Sequence, residues 1–145
     1  MPRTVLPLPY ERPPLSLNDS GRTRGAAIAR AKVKREIRSN VVAAATLAGL
    51  PKDVAHVTVT LHWRPAVRRT RDTDNPVATL KPACDALTPA RAARLSPKGR
   101  TVPALIGYGM VADDDPAHMT KREPVIHEPL TGQPGAVWLE LEWAA

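Results

Sequence analysis

The sequence predicts a single α+β (mixed) domain of about four strands and two helices. Three observations predict it. One long segment, from about Arg22 to about Ala48, carries apolar residues at helical spacing. Two shorter segments, Val54–Trp63 and Ala136–Trp143, alternate apolar and polar residues as half-buried strands do. The chain of 145 residues is long enough for one domain with its own core. No internal repeat divides it, so the whole of 1–145 is read as one unit.

The elements follow in order. Val5 to Tyr10 alternates around Pro7 and Pro9, which restrict it to an edge strand or an extended arm. Residues 13–21 form a loop by composition. In the long helix, Ile28, Val33, Ile37, Val41 and Ala44 fall near one face. Gly49 is placed to end it, and Pro51 prevents continuation. In the next strand Val57, Val59, Leu61 and Trp63 point one way, and one face should pack on the helix. His56 and His62 point the other way and read as half-exposed strand residues. Asn75-Pro76 reads as an N-cap followed by a first helical residue, with a short helix running to about Leu87. Pro82 inside it marks either a kink or a later start. Residues 88–106 carry three prolines and a glycine with Arg91, Arg94, Lys98 and Arg100. They read as a mobile basic excursion, partly helical at 89–95. Two strands close the domain, one near His118–His127 and one at Ala136–Trp143, joined by a turn over Thr131–Gly135.

Composition narrows the class. With no Phe and aromatics at 3%, the core must rest on Val, Leu, Ile and Ala. The single cysteine, Cys84, excludes a disulfide framework and a multi-cysteine zinc site. Its apolar neighbours mark it as a core residue rather than a nucleophile. No segment approaches the roughly 20 apolar residues that span a bilayer, and Met1-Pro2-Arg3-Thr4 opens no signal-peptide run. The expectation is a soluble, cytoplasmic protein without a membrane partner.

Charge is distributed unevenly. Residues 1–71 hold 14 Lys and Arg against 4 Asp and Glu, whereas residues 72–145 hold 7 against 10. The only acid in Arg24–Arg38 is Glu36, so salt bridges inside the helix cannot absorb the charge of Arg30, Lys32, Lys34, Arg35 and Arg38. Either that side of the helix is simply solvated, or it meets a polyanion.

The basic and acidic halves join at Arg68-Arg69-Thr70-Arg71-Asp72-Thr73-Asp74-Asn75. Arginines suit phosphates. Asp72 and Asp74 are two apart, so in an extended segment both carboxylates lie on one side, roughly 6–7 Å apart. That arrangement suits a hard divalent cation such as Mg²⁺, which takes one or two carboxylates and keeps several waters. Asp113-Asp114-Asp115 offers a third carboxylate. Two readings of these acids stand: metal ligands, or ordinary turn and cap residues. Lys81 and Asp85, four apart, either form a surface pair or let Lys81 point back at the carboxylates.

The ordered set Arg71-Asp72-Thr73-Asp74-Asn75, Lys81, Cys84-Asp85-Ala86-Leu87 and Gly109-Met110-Val111-Ala112-Asp113-Asp114 resembles the RusA family of Holliday-junction resolvases. Leu6-Pro7-Leu8-Pro9 and Asn18 are similar to that family's proline-rich first strand and following Asn. The resemblance implies a mixed, mostly antiparallel sheet packed with the two helices. It implies a small homodimeric endodeoxyribonuclease that cuts four-way or otherwise branched DNA with Mg²⁺, for which Mn²⁺ substitutes. On this resemblance Asp72, Asp74 and Asp114 match the catalytic metal-binding acids, with Asp113 the weaker candidate. Lys81 matches the catalytic lysine and Arg71 a basic residue beside the site. Arg68, Arg69, Asn75 and the helix cations are then DNA-binding residues. The 88–106 segment is longer and more basic than the family pattern, as a DNA-contacting loop or a passive insertion. Two other readings remain open: a non-catalytic nucleic-acid-binding protein, and a metal-dependent nuclease for flaps or other branches.

Overall fold

The computed structural model describes residues 1–15, 23–68 and 74–144, with the side chains of Asp74 and Asn75 outside that description. In chain order the elements are β1 (Arg3–Leu8), α1 (Arg24–Ala48), β2 (His56–Arg64), α2 (Asp74–Asp85), β3 (Pro89–Arg91), β4 (Arg94–Leu95), β5 (Thr101–Val102), β6 (Leu105–Tyr108), β7 (Met119–Lys121), β8 (Val125–Ile126) and β9 (Ala136–Ala144). The result is a small α+β fold of two helices and a mixed sheet, as the sequence predicts.

The main sheet runs β1-β9-β2-β7, with β8 also pairing β2. β9 lies antiparallel to both β1 and β2. β7 and β8 follow one another along the far edge of β2, both parallel to it. The last strand of the chain is therefore central. The turn at 131–135 does not join two paired neighbours, because β8 and β9 lie on opposite sides of β2. β1 is an edge strand, which is why Pro7 is tolerated opposite Trp138.

Alternation sends Val57, Val59, Leu61 and Trp63 of β2 and Val137, Leu139 and Leu141 of β9 to one face. All are buried there with Leu6 and Leu8 from β1, with Ile37, Val41 and Ala45 from α1, and with Ala78, Ala83 and Cys84 from α2. Burying a residue such as Leu61 contributes about 1.5–3 kcal/mol. Burial pushes the Cys84 thiol up to about 12, so it stays a neutral packing group.

α1 is capped at both ends, and its C-terminal stop at Gly49 is the one its sequence predicts. The Thr23 hydroxyl accepts from the Ala26 N–H at 3.0 Å. Gly49 takes the left-handed conformation (φ 63°), and the Leu50 N–H returns to the Ala45 carbonyl at 3.2 Å while Leu50 is buried. The expected inward face is corrected at its start. Ile28 is 60% exposed, and the buried stripe is Ile37, Val41 and Ala45. A 25-residue helix is about 37 Å long, and the core reaches only its C-terminal half.

α2 runs unbroken through Pro82, near its C-terminal end. It starts at Asp74 rather than after Asn75, so Pro76 falls among the first residues, whose N–H groups have no partner inside a helix. The largest correction concerns 88–106. It contains no helix at 89–95. β3 pairs β6 and β4 pairs β5, both antiparallel, so the backbone groups there are engaged across strands instead of along a helix. The close approach at the base depends on Gly107. A Cβ there would meet the Thr88 carbonyl oxygen at 2.2 Å, a backbone atom that cannot swing aside.

Gly107→Ala should therefore cost about 1–3 kcal/mol in urea unfolding. Gly25→Ala, in the first turn of α1 with nothing within 4 Å of the new methyl, should be neutral or up to about 1 kcal/mol stabilising.

Candidate active site

Three pieces of chain meet at the C-terminal end of α2. Residues 107–111 are tied to it through the backbone. The Tyr108 N–H donates to the Ala86 carbonyl at 2.8 Å, Gly109 to Thr88 at 3.1 Å and Met110 to Leu87 at 2.8 Å. Beneath them Met110 and Val111 are fully buried. This anchor delivers the acidic run to the flank of α2. The three aspartates then separate by role. Asp113 accepts from the Asp114 N–H at 2.7 Å. Asp115 caps the following turn, accepting from the His118 N–H at 3.1 Å and meeting His118 Nδ1 at 2.7 Å. Asp114 reaches across to the helix.

Asp114 Oδ2 accepts from Lys81 Nζ and from Lys121 Nζ, each at 3.0 Å. Lys81 Nζ also donates to Asp85 Oδ1 at 2.8 Å, one turn along α2. One ammonium thus bridges two carboxylates, one of them 33 residues distant. Lys81 holds the Asp114 carboxyl well below the usual carboxylate range, and Lys121 adds to this. The Lys81 ammonium is raised, chiefly by its hydrogen bond to Asp85, while burial opposes this and Asp114 adds to it.

The surrounding wall is basic. A cleft of about 190 Å³ is lined by Lys81, Asp85 and Asp114 together with Arg38, Arg91 and Leu105. It shares Arg38, Lys81, Asp85 and Leu105 with a groove of about 500 Å³ that α1 lines with Arg30, Lys34, Arg35 and Arg38. The spacing 30, 34, 38 is one helical stripe. Arg38 is only 9% exposed and donates through Nε to the Ile106 carbonyl, and burial lowers its pKa while Asp85 offsets this. Lys32 is exposed and does not line the groove. Arg68 donates to Glu128 at 2.7 Å in a solvent-exposed pair.

Arg69, Arg71 and Asp72 lie outside the described residues, as do the side chains of Asp74 and Asn75. The backbone places Asp74 at the start of α2, two turns before Lys81, or about 10 Å along the axis. Among the described residues no three His, Cys, Asp or Glu side chains gather to hold a metal ion. The donor chemistry nevertheless suits a hard cation. Asp85 Oδ1 and Asp114 Oδ2 already lie within 3.0 Å of one positive charge, the Lys81 ammonium.

Sequence reasoning missed Lys121. Its only signal was a position in a predicted strand, and parallel pairing of Val57 with Met119 brings it to Asp114. The two strand histidines are hydrogen-bonded on the outer face of the sheet. His56 meets the Ala117 carbonyl and the Thr120 hydroxyl. His62 bridges His127 at 2.8 Å and Glu140 at 2.9 Å, stacked on Trp138.

No protein-family model matches this chain, and no curated protein matches its sequence. Among the described residues no helix is long and apolar enough to cross a membrane.

The Asp114 pairing sets an acid limb. Its folded-state pKa lies below its unfolded value of about 3.9, so its contribution is present above that pH and is lost as pH falls further. Melting temperatures of wild type and Asp114→Asn should differ most above pH 4 and converge toward pH 2. A gap that stays constant across that range would show that the pairing is not the source.

Proposed function

We propose that this chain is a metal-dependent nuclease. More particularly, it is read as a Mg²⁺-dependent endodeoxyribonuclease for four-way or branched DNA, of the kind the RusA family represents. The supporting observation is the contact of Lys81 with Asp114, two residues that match separate pieces of the family pattern and lie 33 apart in the chain. The basic groove beside them adds to it.

In this reading Asp72, Asp74 and Asp114 hold Mg²⁺, or Mn²⁺ in its place. Bound there, the metal supplies an activated water and neutralises charge on the phosphodiester. Lys81 is held as an ammonium by two carboxylates, so it acts as a cation and proton donor to phosphate or leaving oxygens, not as a base. The α1 cations at 30, 34, 35 and 38 grip the sugar–phosphate backbone without reading sequence. A four-way junction has approximate two-fold symmetry, which suits a homodimer with two sites. Lys121 neutralises Asp114 and is a positioning residue.

One observation favours the alternative of a non-catalytic DNA-binding protein: Asp114 is already paired with two lysines, as a structural counter-ion would be. Cleavage decides between them. The wild-type chain should cut a synthetic four-way junction in Mg²⁺, and Asp74→Asn and Asp114→Asn should each lose roughly 100-fold or more. If wild type does not cut, or Asp74→Asn cuts equally well, the catalytic reading is wrong. Equal cutting of linear duplex keeps the nuclease and removes the junction preference.

A further inference from the structure

The two short hairpins at 89–108 are one element. Arg91 opposes Leu105, Arg94 opposes Val102 and Leu95 opposes Thr101. From Arg91 outward each step along one strand is matched by one step back along the other, and the register shifts only at the base, between Pro89–Tyr108 and Arg91–Leu105. The intervening gap falls opposite Pro103, which has no N–H to give. The tip is closed by its own hydrogen bonds. The Ser96 N–H donates to the Arg100 carbonyl at 2.8 Å, Gly99 to the Ser96 carbonyl at 2.9 Å, and the Arg100 N–H to the Ser96 hydroxyl at 3.1 Å. Gly99 supplies the positive φ of 75° that this turn needs. A preformed two-stranded ribbon, at most about 25 Å long, therefore projects from the domain.

Its surface has one sign. The ribbon carries Arg91, Arg94, Lys98 and Arg100, and no acid occurs between Asp85 and Asp113. All residues from Pro89 to Leu95 and from Pro97 to Thr101 are exposed, with Leu95 at 70%. Among the described residues no ion pair engages Arg94, Lys98 or Arg100. The outer half of this strand pair adds no residue to the core. Its base, by contrast, belongs to the cleft: Arg91 and Leu105 line the same cavity as Lys81 and Asp114. Arg38 fastens it there through the Ile106 carbonyl.

We propose that the 89–108 ribbon enters the major groove of double-stranded DNA next to the Lys81–Asp114 cleft, with Arg94, Lys98 and Arg100 on the phosphates at its edges. The B-form major groove, about 12 Å wide, admits a two-stranded ribbon. The deep, narrow major groove of A-form RNA does not. The ribbon thus holds a duplex arm while the cleft meets the strand to be cut. This rests on the DNA reading above but not on cleavage.

The test is binding in EDTA, by fluorescence anisotropy across a salt series, with wild type and the triple variant Arg94→Ala/Lys98→Ala/Arg100→Ala. These side chains are exposed, and an unchanged melting temperature checks the fold. On a DNA duplex the slope of log affinity against log salt should fall by about 2–3, since each lost phosphate contact removes about 0.9. On an RNA duplex of equal length, variant and wild type should bind alike. An unchanged slope on DNA, or an equal loss on RNA, overturns the groove-bound ribbon. Junction cleavage in Mg²⁺ is measured separately. Cutting with an unchanged salt slope leaves the nuclease and removes the ribbon's role. A reduced slope without cutting does the reverse.

Discussion

The antiparallel ladder between β2 and β9 holds everything else in place. It pairs His56 with Ala144 at one end and Arg64 with Ala136 at the other. Partners so distant in sequence impose a large loop-closure cost before any contact rewards it. Apolar side chains offset that cost. Val57, Val59, Leu61 and Trp63 on one strand and Val137, Leu139 and Leu141 on the other all point to the helices. A slip of one residue would turn that whole set to solvent, so the register is strongly specified. Once β2 is held by β9, its free edge is the template for β7 and β8.

The candidate site inherits its geometry from that ladder. β7 brings Lys121 alongside, and the chain just before it carries Asp114. α2 lies on the inner face and contributes Lys81 and Asp85. The electrostatic result is an acidic floor under a basic wall. Arginines at 30, 35 and 38 attract a polyanion, while carboxylates at 85 and 114 would repel it. Lys81 and Lys121 cancel much of that repulsion. A divalent cation at the floor would cancel it too.

The same logic explains why basic charge is concentrated on α1 and on the ribbon rather than spread evenly. α1 has its buried stripe only over Ile37, Val41 and Ala45, so its earlier turns are free to serve the groove. Beyond its base at Tyr108 the ribbon contributes no residue to the core. The exposed charges on these elements cost the fold little, and Arg38, which burial desolvates, is the exception.

The sequence by itself determined which segments become helix or strand wherever a period was clear: α1 with its stop at Gly49, β2, and β9 with its buried alternate residues. Local physics suffices there, because period and cap chemistry act over a few residues. Spacing also paired Lys81 with Asp85, while Asp114 was singled out only by the family resemblance. Tertiary structure decided what depends on distant chain. The 88–106 segment became a ribbon because Leu105–Tyr108 came back beside it, with Gly107 allowing the contact. Ile28 stayed exposed because the core ends before it. Lys121 reached Asp114 only because β7 pairs parallel to β2. Of Asp113, Asp114 and Asp115, three identical side chains in a row, the backbone path alone chose Asp114 to face the lysines.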